Sequence, residues 1–220
     1  MENFQKQNEI IVDTIGSVDD LIENYQEQIE KLKGFGLKYI DYLNQNGKLI
    51  KLSEIAKFEK GFEVGSINYI SKDSENYVRY LRVGDLISQS NPTFISKDNA
   101  ANMAHESDIL IAFDGAPGRT AFGLKGAFSS GIYKVKSDFT NKGLLYFELI
   151  SKVNQKTIDY HSQGTTILHA SKSIPFLQCI DCHIDFFNDI FKRMVYLKQA
   201  INILEMQKNF LLDKYFTNLL

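Results

Sequence analysis

The first and last forty residues of the chain carry the same apolar pattern, and this repetition constrains the fold more than any other feature. At the N-terminus, apolar side chains recur at spacings of three and four: Ile11, Ile15, Val18, Ile22, Tyr25, Ile29 and Leu32. At the C-terminus the same spacing runs through Phe187, Ile190, Met194, Leu197, Ile201, Leu204, Leu211 and Tyr215, with Lys208 in one slot. A shift of 172 positions places Val18 on Ile190 and Ile29 on Ile201. Coiled-coil helices present such a seam to a partner helix.

Two similar helices on either side of one insert are expected to pair with each other. Because the insert must return the chain to where it left, we predict an antiparallel pair. The residues predicted to make this pairing are Ile15, Val18, Ile22, Tyr25, Ile29 and Leu32, with Ile190, Met194, Leu197, Ile201, Leu204 and Leu211. The first helix is expected over residues 11–43, on the order of 45–50 Å at 1.5 Å per residue. The alternative is two amphipathic helices packed on a globular core.

The segment between the helices has a different character. Alternation predicts a strand over Tyr77–Val83, and composition predicts a buried strand over Asp108–Phe113 followed by a tight Asp-Gly turn. Further strands are expected over 121–124 and 127–135, a helix over 144–151, and a polar loop over 159–173. The sequence therefore predicts an α+β fold, with an irregular β-rich domain (46–178) between two coiled-coil helices (1–45 and 179–220).

Charge and composition set modest bounds on function. The whole chain has a formal net charge of −2, but residues 46–178 carry +3, which suits a polyanionic partner without demanding one. The sequence has no run approaching the ~18 apolar residues of a membrane span, and residues 1–20 lack a leader pattern. With only two cysteines, the composition favours a reduced, cytoplasmic protein.

The insert contains, in this order, the segments Tyr80–Ile87, Glu106–Gly115, Gly126–Ile132, and Ser162–Thr166 followed by Ser171–Phe176. These segments and their order resemble the target recognition domain of type I restriction-modification specificity subunits. The resemblance covers about residues 10–220. Residues 179–187 lack the Pro-rich, Glu-Gln entry to the last helix that the family often has. One recognition domain is present where a full subunit has two, so the chain resembles a half-length subunit or part of a longer one.

The resemblance implies a non-catalytic protein that reads one half of a split DNA target and scaffolds methyltransferase (M) subunits and, through them, the restriction (R) subunit. The paired helices would set the distance between half-targets, since one turn of B-DNA is ~34 Å. Two copies forming a homodimer would read a symmetric target. No cofactor and no metal are expected. The rival interpretation is a protein-binding scaffold built on a coiled coil.

Polar side chains on the loops of the insert are the candidate DNA contacts. They are Lys60, Ser66, Asn68, Lys72, Arg79, Arg119, Lys125, Gln163, Thr165, Thr166 and Lys172. Lys and Arg neutralise phosphates, whereas Asn, Gln, Ser and Arg can reach base edges. Arg119 is the strongest individual candidate, because it follows a Pro-Gly turn after a buried strand and its guanidinium is expected to project outward. Each of these residues also has a simpler interpretation as a solvated loop side chain.

Two segments carry patterns that are typical of enzymes or cofactor proteins. The segment Cys179–His183 spells the haem-attachment pattern, but covalent haem needs an exported chain, and a structural zinc site needs four ligands where only three cluster. Both cysteines are therefore expected to serve packing. The segment Asn91–Phe94 approximates a loop of amino-methyltransferases, but 133 residues are too few to hold their cofactor domain as well.

Overall fold

The computed structural model describes residues 2–71, 74–137, 141–164, 168–182 and 184–216. By internal contacts the chain divides into two compact units. One, the helical unit, consists of Met1–Phe35 and Lys192–Leu220, and the other, the β-rich unit, consists of Gly36–Phe191. Two long helices contribute to both units, α1 (Glu2–Asn46) and α4 (Asp185–Phe216). No helix in the described part of the chain is both long and apolar enough to cross a membrane.

Within the helical unit, α1 and α4 run antiparallel, as predicted. Lys208 Nζ lies 2.6 Å from Asp19 Oδ1, and Arg193 Nη2 donates to Gln28 Oε1 over 3.3 Å. Gln28 comes later than Asp19 on α1, whereas its partner Arg193 comes earlier than Lys208 on α4. This reversed order of partners means that the two helices run antiparallel. Lys208, which breaks the apolar spacing, therefore sits opposite an acidic residue of the other helix. The predicted antiparallel helix pair and α+β class are confirmed.

Burial in the helical unit follows the three-and-four spacing. On α4, the side chains of Met194, Leu197 and Ile201 are at most 1% exposed. On α1, the six predicted pairing residues are half-buried, while most of the residues between them are exposed. Which of these side chains touch each other stays a prediction. A buried 3-4 stripe on each helix is what makes the pair stable, because helix propensity alone gives little.

The β-rich unit contains two four-stranded sheets. The first has the order β2 (Lys57–Lys60), β9 (Ile132–Lys136), β6 (Leu110–Ala112) and β7 (Thr120–Ala121), and all its pairs are antiparallel. The second has the order β4 (Phe94–Ser96), β3 (Tyr77–Leu81), β8 (Gly126–Phe128) and β5 (Met103–Ala104), with β3 and β8 parallel. Their apolar faces meet in a core whose buried members are Leu81, Leu86, Ala104, Leu110, Ala112, Leu124, Phe128 and Ile132.

The β-rich unit also contains a small sheet, two short helices and the adjoining turns of α1 and α4. A two-stranded sheet pairs β1 (Leu49–Lys51) with β10 (Gln178–Ile180), and two short helices, α2 (Lys142–Leu149) and α3 (Lys152–Tyr160), precede β10. Rings from α1, α2 and the first turns of α4 stack within the unit. The Phe187 ring centroid lies 5.4 Å from those of both Tyr39 and Phe147. Gly36 permits this approach, since a Cβ there would lie 2.3 Å from the Phe147 ring.

Several elements differ from the sequence prediction. The single strand expected over 127–135 is wrong: residues 129–131 form a turn, and β8 and β9 on either side of it belong to different sheets. The strand expected over 121–124 is also wrong beyond residue 121, where β7 ends. Helix α3 was not predicted; it is capped by Ser151, whose hydroxyl accepts from Asn154 N. Helix α1 extends past both ends of the predicted 11–43.

Candidate nucleic-acid interface

One end of both larger sheets meets in a continuous set of turns, which we call the turn rim (residues 60–63, 83, 114–119, 129–131, 163–164 and 168–170). Backbone hydrogen bonds tie these turns to the sheets. Gly61 N donates to Ile132 O over 2.9 Å in the first sheet, and the next residue, Phe62, donates its N–H to Phe128 O of the second sheet over 3.0 Å. Ser129 N donates to Leu81 O over 2.9 Å within the second sheet. Turns bonded to strands in this way have little freedom to move, which suits a recognition surface.

A hairpin from the C-terminal part of the insert adds to this rim. Gln163 and His169 exchange two backbone hydrogen bonds, of 3.0 and 2.7 Å, and thereby close the hairpin. Its second arm continues along the end of β6, since Gly115 N donates to Leu168 O over 2.8 Å and Ala170 N donates to Phe113 O over 2.7 Å. Residues far apart in sequence thus meet around the Asp-Gly turn.

Asp114 and His169 form a hydrogen-bonded pair on the rim. His169 Nδ1 lies 2.8 Å from Asp114 Oδ1, and the other oxygen, Oδ2, lies 4.0 Å from Lys60 Nζ. The Asp114 side chain is 18% exposed and the His169 side chain 61% exposed. Lys60 Nζ also lies 5.7 Å from the ring centroid of Tyr133. The carboxylate is therefore held between an exposed imidazole and an exposed ammonium group.

Arg119 lies at the close of the same β6–β7 turn, as the sequence suggested, but its guanidinium does not simply project outward. Nη1 donates to Val83 O over 3.1 Å, so the half-buried side chain reaches across to the 3-10 turn that follows β3. Only one of the five guanidinium N–H groups is used in that bond. The other guanidinium N–H groups of Arg119 could donate to a phosphate or a base edge.

The loop after the rim residues 60–63 carries Ser66 and Asn68, both exposed on a 3-10 turn. The Asn68 side-chain amide donates back to Val64 O. Tyr69 Oη donates to Glu63 Oε1 over 2.9 Å, which ties the far end of the loop to its start. Burial raises the pKa of the Tyr69 hydroxyl, and the hydrogen bond to Glu63 raises it further, so this hydroxyl remains a donor at neutral pH.

The other candidate contacts are distributed less evenly. Lys172 is exposed, two residues beyond the arm of the hairpin that lines β6. Lys125 is exposed but follows the opposite end of β7 from Arg119, away from the rim. Lys72, Thr165 and Thr166 lie outside the described residues.

Arg79 lies on strand β3 and not on a loop, where the sequence analysis placed it. Its side chain is only 14% exposed, and Nη2 lies 2.7 Å from Oδ1 of Asp85, itself 5% exposed. Arg82 N donates to the other oxygen of Asp85 over 2.7 Å. The Arg79 guanidinium therefore neutralises a buried carboxylate, and a contact of this residue with DNA stays a prediction.

Sequence reasoning missed Asp114 and His169. The sequence showed Asp114 only as a turn former, and His169 as one of several scattered histidines. Since 55 positions separate them, no local pattern could have joined the two side chains. A weak signal existed in the Asp-Gly turn after a buried strand, which is a common place for a functional carboxylate.

The cysteine-rich segment does not form a metal centre with described residues. In the described part of the chain, no group of three or more His, Cys, Asp or Glu side chains could hold a metal ion. Cys179 is buried on β10 and Cys182 is half-buried, both as free thiols, and His183 lies outside the described residues. Burial raises the pKa of the Cys179 thiol, which favours the neutral, packed form.

Comparisons with known proteins agree with this architecture. No protein-family model matches the chain. The specificity subunit of the type I restriction enzyme MjaVIII from Methanocaldococcus jannaschii is 24% identical over 131 residues, which is 59% of this chain and 30% of that protein. The type I restriction-modification S subunit from M. genitalium superimposes with a TM-score of 0.57 at 16% identity, covering 92% of this chain and 56% of that one. The HsdS subunit from Thermoanaerobacter tengcongensis gives 0.49 at 14% identity, covering 98% and 58%.

The chain therefore has the fold of a type I specificity subunit and is related in sequence to one. The resemblance predicted from the order of the insert segments is confirmed. The chain spans a little over half the length of the M. genitalium subunit, and its match spans less than a third of the Methanocaldococcus jannaschii subunit.

Proposed function

We propose that this chain is the DNA-reading, non-catalytic specificity component of a type I restriction-modification system, which reads one half of a bipartite duplex target. The observation that carries the proposal is the M. genitalium S-subunit fold, which extends over 92% of the chain and includes both the helix pair and the β-rich unit. A relationship in sequence to a second specificity subunit supports the same role. Such work takes place in the cytoplasm, where the DNA is.

The turn rim supports DNA reading by its chemistry. It brings together Lys60, Arg119 and Gln163, with Ser66 and Asn68 on the adjoining loop. Cations of this kind neutralise phosphates and fix register on the duplex, while amide and guanidinium groups reach base edges in the major groove. Because the rim turns are bonded to strands of the sheets, their side chains would be presented with little loss of entropy.

The helices support the scaffolding part of the proposal. Besides the buried stripe, α4 has exposed apolar side chains at spacings of seven, three and four: Tyr196, Ile203, Met206 and Phe210. At 3.6 residues per turn these lie on a different face from Met194, Leu197 and Ile201. Exposed apolar residues in a row are typical of a surface that binds another protein. We infer that a methyltransferase (M) subunit covers this face, and that the restriction (R) subunit joins through it.

Co-expression with a methyltransferase subunit encoded beside this chain tests the proposal. We expect the two proteins to co-purify, and the complex to bind duplex DNA with an affinity that falls steeply as salt rises, because phosphate neutralisation releases counterions. Ile203→Glu should abolish co-purification without lowering the melting temperature, whereas Val12→Glu, on the exposed surface of α1, should leave it intact. A complex whose affinity for its macromolecular partner does not depend on salt would support a protein-binding scaffold and would contradict DNA reading.

A further inference from the structure

We propose that the His169–Asp114 pair is a base-reading device, in which His169 Nε2 accepts a hydrogen bond from an exocyclic amino group, adenine N6 or cytosine N4, in the major groove. This inference rests on the proposed function and names one contact of it. The two residues lie on the turn rim beside Lys60, Arg119 and Gln163. Neither belongs to the set of contacts suggested by the sequence pattern.

The first step is the rigidity of the imidazole. The His169 backbone is fixed by its two hydrogen bonds to Gln163, and both neighbouring residues are bonded to the end of β6. The ring is fixed in turn by the 2.8 Å contact between Nδ1 and Asp114 Oδ1. A side chain held at backbone and ring loses little freedom on binding, whereas a flexible lysine loses more.

The second step is the tautomer. A carboxylate only accepts hydrogen bonds, so Nδ1 must carry the hydrogen, and in the neutral ring the lone pair is then on Nε2. Among the described residues Nε2 has no hydrogen-bonding partner, and the side chain is 61% exposed. The pair thus presents a single, oriented acceptor to the outside of the protein.

The third step is the choice of ligand. A lone pair on Nε2 can only accept, and a phosphate oxygen has no hydrogen to donate, so this atom does not suit a phosphate contact. It suits a donor, and in the major groove only adenine N6 and cytosine N4 present amino donors. Lys60, 4.0 Å from the other oxygen of Asp114, is placed to neutralise a phosphate next to the base that is read.

The test compares DNA selected from a random duplex library by the complete complex with wild-type chain, with His169→Ala, and with Asp114→Ala. At one position of its target, wild type should prefer the base pairs that place the amino group on one particular strand, which means adenine or cytosine on that strand over thymine or guanine. In His169→Ala that position alone should lose its preference, by about three- to tenfold, the worth of one hydrogen bond. Asp114→Ala should affect the same position, because without the carboxylate the His169 imidazole can change tautomer and rotate. His105→Ala is the matched control and should change nothing, because His105 is exposed and follows β5 beside Gly126, at the opposite end of β8 from the rim.

The outcomes separate this inference from the proposed function. If wild type selects no sequence, DNA reading itself fails. If wild type selects a target and His169→Ala selects it unchanged, only the inference fails. A uniform loss of affinity at all sequences in His169→Ala would also overturn it, since that result means a phosphate contact. Melting temperatures of all variants show whether Asp114→Ala remains folded, and His169→Ala decides the matter if it does not.

Discussion

Asn44 Nδ2 donates to Glu148 Oε2 over 2.8 Å, although 104 positions separate the two residues. The other carboxylate oxygen accepts from Ile180 N over 2.7 Å. This buried group therefore ties the end of α1, helix α2 and strand β10 together inside the β-rich unit. Burial raises the pKa of Glu148 to about 7, against the lowering effect of its hydrogen bonds. Asn44 Oδ1, also buried, has no partner among the described residues.

Glu148 should make the β-rich unit less stable as the pH rises. Below a pH of about 4.5 the carboxyl group is protonated in both the folded and the unfolded chain. Between about 4.5 and 7 only the unfolded chain releases the proton, so the free energy of unfolding falls, by about 3 kcal/mol in total. Urea unfolding followed across this range measures the slope.

Replacing Glu148 by Gln should remove that slope. The amide stays neutral at every pH. Its oxygen can accept from Ile180 N, and its NH2 group can donate to Asn44 Oδ1 once the Asn44 amide has turned over, because Nδ2 faces this position in the wild type. We expect Glu148→Gln to match wild type near pH 4.5 and to exceed it by up to about 3 kcal/mol at pH 8. A stability difference that is the same at both pH values would contradict the pKa assignment.

Ile201 and Ile203 provide a matched test of the helix pair. Ile201 is 1% exposed and Ile203 is 56% exposed, two residues apart on the same helix. Ile201→Ala should lower the free energy of unfolding by about 2–5 kcal/mol, because it leaves a cavity. Ile203→Ala should change it by less than about 0.5 kcal/mol. Equal melting curves for the two variants would mean that the seam is misassigned.

Arg79 should matter for stability and not for the choice of DNA sequence. Arg79→Ala leaves the buried Asp85 carboxylate without its closest cation, which costs about 3–5 kcal/mol. Arg82 is the control, since its Nε is 3.8 Å from Asp85 and its side chain is 45% exposed. Arg82→Ala should cost less than about 1 kcal/mol. If Arg79→Ala melted like wild type but lost preference at one base pair, the original prediction from sequence would be restored.

Arg119 should contribute to binding in one of two distinguishable ways. If it contacts guanine, Arg119→Ala relaxes preference at one base pair and costs about 1–3 kcal/mol. If it contacts a phosphate, the variant binds all sequences more weakly and the salt slope falls by about one. Titrations of matched duplexes across a salt series separate these results. Unchanged affinity and preference would remove Arg119 from the interface.

The long-range architecture could be predicted from the sequence because it depends on periodicity. The repeated 3-4 spacing from Ile15 to Leu32 and from Ile190 to Leu211 specified two helices, and the single insert between them specified their direction. A helical stripe is local information that survives without knowledge of the partner. The apolar run of strand β6 likewise predicts a buried strand, whichever part of the protein packs against it.

The site was harder to predict because its geometry is not local. Arg79 was expected on a loop, but it lies on β3 and its guanidinium contacts the buried Asp85 six positions later. Asp114 and His169 meet only because the hairpin of residues 163–169 pairs with the end of β6. Ser129 and Gly131 lie between the end of β8 and the start of β9, where they contact Leu81 and Asp114. Local strand propensity does not predict these contacts. Tertiary contacts decide such positions.

The most direct test of the central claim is selection from a random duplex library by the chain assembled with its methyltransferase subunits. The account predicts enrichment of a block of fixed bases for each recognition domain, with blocks separated by unspecified bases over about one helical turn where two domains are present. Enrichment should persist as salt is raised while non-specific binding falls. Recovery of DNA with no fixed positions, from a complex that is folded and complete, would contradict the claim that this chain reads DNA sequence.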